Sequence, residues 1–141
     1  MYPFYLIERE YLEALTREMK ALSKRDKFLS AGIYVRLTTL ERECRGKGVN
    51  PLDFLARVEG KRDYDESSFP SFSSIISFFN DERKKRRIAI IEIARRIPMD
   101  RCSYYRLFRR YQTSCTLITI YFLSHSLSMT PYSFIKSVVD Y

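Results

Sequence analysis

The stretch IAIIEIARRIPMDRCSYYRLFRR (residues 88–110) decides how this chain is read. Its first part repeats apolar residues at helical spacing (Ile90, Ile91, Ile93, Ala94, Ile97) and is stopped by Pro98. Asp100 has the form of an N-cap, so residues 101–110 read as another short helix. Tyr104, Leu107 and Phe108 supply its apolar stripe, and Arg101, Cys102, Tyr105, Arg106 and Arg109 fall on the opposite side. Two short helices joined by a tight turn, the second basic on its outer face, are the elements of a helix-turn-helix.

The charge around this stretch is uneven. The 141 residues carry a formal net charge of +8. Residues 1–80 hold 13 Lys and Arg against 12 Asp and Glu, whereas residues 81–110 hold 11 against 4. Residues 111–141 hold only Lys136 and Asp140. Nearly all the excess lies in one window, which is the footprint of a polyanionic partner.

Outward from the window the chain reads as helices throughout. Only 4 Gly and 5 Pro are present, too few for the turns of an all-β sandwich or barrel. Leu12, Leu15, Met19 and Leu22 give residues 5–27 an amphipathic helical stripe, and Ile33, Leu37, Leu40 and Cys44 do the same for 33–45. Asn50-Pro51-Leu52-Asp53 has the form of a capped helix start, and Gly60 a stop. Residues 61–72 are polar and contain Pro70. Ile75, Ile76 and Phe79 begin a helix that runs into the basic residues 83–87. Further helices are expected over 116–127 and, from Thr130-Pro131, over 131–139. The uncharged stretch 111–135 has an apolar centre, Leu117 to Leu123, too short to cross a bilayer, so a buried helix is expected there.

Residues 75–135 resemble the helix-turn-helix domain of phage lambda-type repressors and the xenobiotic-response-element family. Ile93-Ala94 stands where that family has Leu-Ala in its second helix. Met99 and Asp100 fall in its turn, and Tyr104 and Leu107 at the apolar positions of its recognition helix. Ile120, Leu123, Ser124, Leu127, Met129, Pro131 and Phe134 follow the spacing of its last two helices. The resemblance covers under half the chain. It departs at Ile90, Pro98 and Phe108, where the family often has Gln, Gly and Glu. It implies base contacts from Arg101, Cys102, Tyr105 and Arg106. Arg109, Arg110 and the basic run Arg83, Lys84, Lys85, Arg86 and Arg87 are expected to hold phosphates, since charge neutralisation depends little on exact geometry.

The expected architecture is all-α: an N-terminal helical region (1–62), a linker (63–72) and a C-terminal five-helix helix-turn-helix domain (73–141). The expected partner is double-stranded DNA, bound sequence-specifically by a transcriptional regulator. The N-terminal stripes suggest a homodimer. An RNA-binding protein and a helical scaffold using a degenerate helix-turn-helix are the rival readings. No secretory start is seen and the cysteines (Cys44, Cys102, Cys115) are odd in number, so a reduced cytoplasmic, nucleoid or nuclear location is expected, without a membrane. One histidine and no C-x-x-C leave a zinc site short of ligands, and no phosphate loop or nucleophile motif appears, so neither cofactor nor catalytic residue is expected. Cys44 and Cys115 read as small buried residues and His125 as a core or helix-end residue. Asp53, Asp63, Asp65 and Glu66 read as solvated. An echo between residues 49–55 (VNPLDFL) and 129–135 (MTPYSFI) is put down to shared helix-start chemistry.

Overall fold

The computed structural model describes residues 7–96 and 115–141, and the chain there is all-α. The first helices are α1 (Arg9–Leu22), α2 (Asp26–Ala31), a 3₁₀ turn (Gly32–Tyr34), α3 (Leu37–Gly46) and α4 (Pro51–Val58). There follow α5 (Phe72–Lys85), α6 (Ile90–Arg96), α7 (Leu117–Ser126) and α8 (Pro131–Val139). One apolar cluster runs through all of them, from Ile7 to Val138. The stripe of α1 (Leu15, Met19, Leu22) is buried in this cluster.

Two expected helices are cut short for physical reasons. The helix expected over 5–27 stops at Leu22, where Ser23 is extended and its Oγ accepts the Arg25 N–H (3.2 Å). A serine that can bond nearby backbone competes with the helix in this way. The helix expected over 33–45 begins only at Leu37, because Val35 and Arg36 are drawn out to pair with residues 115–117. The Leu37 N–H donates to the Cys115 carbonyl (2.8 Å) and the Leu117 N–H to that of Val35 (2.9 Å).

That reciprocal pairing belongs to a larger repetition, with an offset of 80 residues. Both α3 and α7 end in a Schellman turn: Gly48 and Val49 donate to the Arg45 and Cys44 carbonyls, Ser128 and Met129 to those of His125 and Ser124. The residue at the left-handed position is Gly48 (φ +68°) in one and Ser128 (φ +57°) in the other. Each turn leads to a proline-opened helix, and α4 packs on α8 across the pair. Outside it, α1 lies on α4 as α5 lies on α8. The echo between 49–55 and 129–135 is thus wider than helix-start chemistry. It marks two hairpins of like hydrogen-bond pattern, joined by the Arg36–Thr116 bridge and by the packing of α4 on α8.

The hairpins differ in surroundings. Every residue of α7 is buried except His125, whose ring stacks on Tyr121 at 4.1 Å. Tyr121, itself buried, accepts the Glu8 N–H and packs on the Tyr11 ring. This is the buried helix expected from the uncharged stretch. Among the described residues no helix is long and apolar enough to cross a membrane. By contrast α3 buries only one side and is charged on the other.

The stretch expected as a linker lacks helix as far as Ser71, but it is strapped to both hairpins. Its carboxylates correct the expectation of solvated residues, since Asp53 and Asp63 are buried. Asp53 accepts from Arg57 Nε (2.8 Å), Arg62 Nε (3.1 Å) and the Asp63 N–H (2.9 Å). Asp63 accepts from the Tyr132 hydroxyl and Asp65 from Lys136 Nζ (2.9 Å), both donors on α8. Further along the strap, Arg45 holds the Glu66 carbonyl (2.7 Å) and Glu41 the Phe69 N–H (2.6 Å). Burial works against ionisation of Asp53, but the Asp63 N–H and the Arg62 and Arg57 guanidiniums outweigh it and hold its carboxyl below the usual range. Asp63 is shifted the same way, burial being outweighed by Tyr132, the Asp65 N–H and Lys136.

Candidate nucleic-acid interface

Residues 101–110 carry the expected base contacts, and Arg101, Cys102, Tyr105, Arg106, Arg109 and Arg110 all lie outside the described residues. The expected phosphate-holding run lies within them. It forms the last turn of α5 and the short connection to α6. Apolar Ile75, Phe78 and Phe79 bury one side of α5, which fixes the helix to the core.

The five cations of this run have different occupations. Arg83 is half-buried and its Nη1 donates to the Ile88 carbonyl (3.0 Å). Arg86 donates to the Leu127 carbonyl at the end of α7 and pairs with Glu82 (3.3 Å). These two hold the α5–α6 corner against the core. Lys85 stands 4.0 Å from Glu82 with an exposed side chain, a weak surface pair. Lys84 and Arg87 are exposed and have no carboxylate partner among the described residues. On α6, Arg96 donates to the Ser126 carbonyl (2.7 Å), and Arg95 is exposed.

Arg87 also occupies the left-handed position of a Schellman turn (φ +57°), with the Arg87 and Ile88 N–H groups donating to the Lys84 and Arg83 carbonyls. Glycine takes this conformation without penalty, whereas a side chain there costs roughly 1–2 kcal/mol. Arg87 thus takes at an exposed corner the same left-handed conformation that Ser128 takes after α7.

Cys44 and Cys115 are buried, and burial pushes both thiols up to about 12, so neither is poised as a thiolate. Desolvation lowers His125, whose nearest partner is the Tyr121 ring. Among the described residues no three His, Cys, Asp or Glu come together as a metal site.

One feature escaped sequence reasoning. A cleft of about 610 Å³ opens between α2, the 3₁₀ turn and α3, with Arg25, Lys27, Arg36 and Arg42 on its lining. Counted over residues 1–80 their charge vanishes. Counted over residues 23–47, seven Lys and Arg meet three Asp and Glu, and a narrower window was the signal that would have found them. No protein-family model, curated protein or solved structure matches the chain.

Proposed function

We propose that the chain is a sequence-specific DNA-binding protein, a transcriptional regulator that inserts residues 101–110 into a major groove while exposed cations of residues 83–87 hold phosphates. The observation that carries this reading is the concentration of positive charge over residues 81–110, where Lys84, Arg87 and Arg95 stand exposed without carboxylate partners among the described residues. The exposed arginine at the α5–α6 corner supports it. Phosphate neutralisation needs charge near the backbone more than exact geometry, so such a corner suits the task.

The test is binding to duplex DNA selected from random sequence, followed over a range of salt. Arg101→Ala is expected to weaken the selected site about tenfold or more and to leave non-specific binding nearly unchanged. Lys84→Ala is expected to weaken all sequences alike and to reduce the salt slope by about one. Arg87→Gly separates function from stability: DNA affinity falls while stability rises by about 1 kcal/mol. Structured RNA outcompeting duplex DNA at equal salt would replace this reading with RNA binding. If two copies bind together, their 101–110 segments would lie about 34 Å apart, and sedimentation on DNA measures the stoichiometry.

A second reading, an interaction protein that meets an acidic partner, draws on the internal engagement of Arg83 and Arg86. It requires that no DNA affinity be found even at low ionic strength.

A further inference from the structure

Only the three-residue turn Gly32–Tyr34 connects α2 to the extended Val35, and the α2–α3 cleft lies beside this connection. Its volume lies in the range of small-molecule sites, roughly 300–1,000 Å³.

The lining is cationic and held in place. Arg36 is exposed, but its backbone is fixed by the pairing with Thr116, so the side chain starts from a rigid point. Arg42 projects from α3 one turn beyond Thr39, whose Oγ1 accepts from its Nη2 (3.4 Å). Arg25 is steered across the cleft by Glu43, at 2.9 Å. Glu43 is the single carboxylate of the lining and is already paired, so Arg36, Arg42 and Lys27 remain without an acid of their own there. Like charges gathered about one concavity repel each other, and the field they focus is relieved by an anion. Tyr34, half-buried, gives the same cleft an aromatic wall.

We infer that this cleft is an anion site for a phosphate group, carried either by a free nucleotide or by a nucleic-acid strand. Arg36 and Arg42 supply guanidinium forks for the phosphate, the side chain best suited to bidentate capture of such groups. The site is separate from the 81–110 surface and stands whether or not that surface binds DNA.

The experiment titrates the full chain with adenosine monophosphate, inorganic pyrophosphate and a short single-stranded oligonucleotide, by calorimetry at low salt. Saturable binding is expected, with the double variant Arg36→Ala/Arg42→Ala weakening it about tenfold or more. Lys84→Ala/Arg87→Ala should leave it unchanged, which distinguishes this site from the DNA surface. Because both cleft arginines are exposed, the double variant is expected to keep its unfolding midpoint, and circular dichroism checks this. Adenosine monophosphate binding as tightly as the oligonucleotide identifies a free nucleotide, and binding of the oligonucleotide alone identifies a strand. Absence of saturable binding for all three probes, or equal binding by the cleft variant, overturns the inference.

Discussion

The α3–α4 and α7–α8 hairpins share a backbone plan and almost nothing of their surroundings. Both leave an extended residue pair, run one helix to a Schellman turn and restart at a proline. Yet α7 is apolar on every side and lies at the centre, whereas α3 is amphipathic and lies at the rim. The backbone plan thus follows from turn and cap chemistry, and position in the molecule follows from how much of each helix is apolar. A helix hydrophobic all round must be enclosed, and a half-polar one must keep a face in water.

Equivalent positions then answer differently to the same substitution. Phe122 on α7 corresponds to Arg42 on α3, and only the first is buried. Phe122→Ala is expected to lose about 3–5 kcal/mol, while Arg42→Ala stays within about 0.5 kcal/mol, both measured by urea unfolding. Similar losses at the two positions would break the comparison at its root.

The strap between the hairpins gives the next largest effect. Asp63→Asn leaves Lys136 and Tyr132 with a weaker partner and is expected to cost about 2 kcal/mol at neutral pH. Because Asp53, Asp63 and Asp65 are held below their ordinary range, their contribution is complete above about pH 4. It is lost as the pH falls from there through the folded-state values. Unfolding midpoints followed downward from pH 5 should therefore drop, and Asp63→Asn should make the acid limb shallower.

The turns sharpen the likeness. Gly48→Ala places a side chain in the left-handed region with open space around it, so its cost, about 1–2 kcal/mol, is conformational alone. Ser128→Gly relieves the same strain and should stabilise by about 1 kcal/mol. Opposite signs in thermal melts are the expected outcome. The smallest contrast is at the caps. Thr130 Oγ1 accepts the Ser133 N–H (3.2 Å), while the Asn50 side chain makes no cap bond. Thr130→Ala should cost about 1 kcal/mol and Asn50→Ala close to nothing.

What was legible from sequence was local. The proline-opened helices, the basic end of α5, the buried run 117–123 and the burial of Cys44 and Cys115 all follow from neighbouring residues. Asn50 shows the limit of such reasoning, since a residue of the right type leaves its cap unmade. The break at Val35 and Arg36 was not legible, because its cause is the chain 80 residues away. Asp63 and Asp65 looked solvated for the same reason, as their partners on α8 are some 70 positions distant. The repetition was visible as a seven-residue echo, but turn geometry rather than side-chain identity carries it, and Gly48 against Ser128 conceals it. Of the candidate interface, sequence located the charge, and the structure separated Arg83 and Arg86, which hold the corner, from Lys84 and Arg87, which face solvent.

The crossed hydrogen bonds of Leu37 and Leu117 bear on how the molecule assembles. Were the two hairpins on separate polypeptides, a handshake of this size would dissolve on dilution. Tethered, each meets the other at an effective concentration on the order of millimolar. The pairing therefore survives at any abundance of the protein, and what would otherwise be a concentration-governed partnership becomes a permanent property of the single molecule.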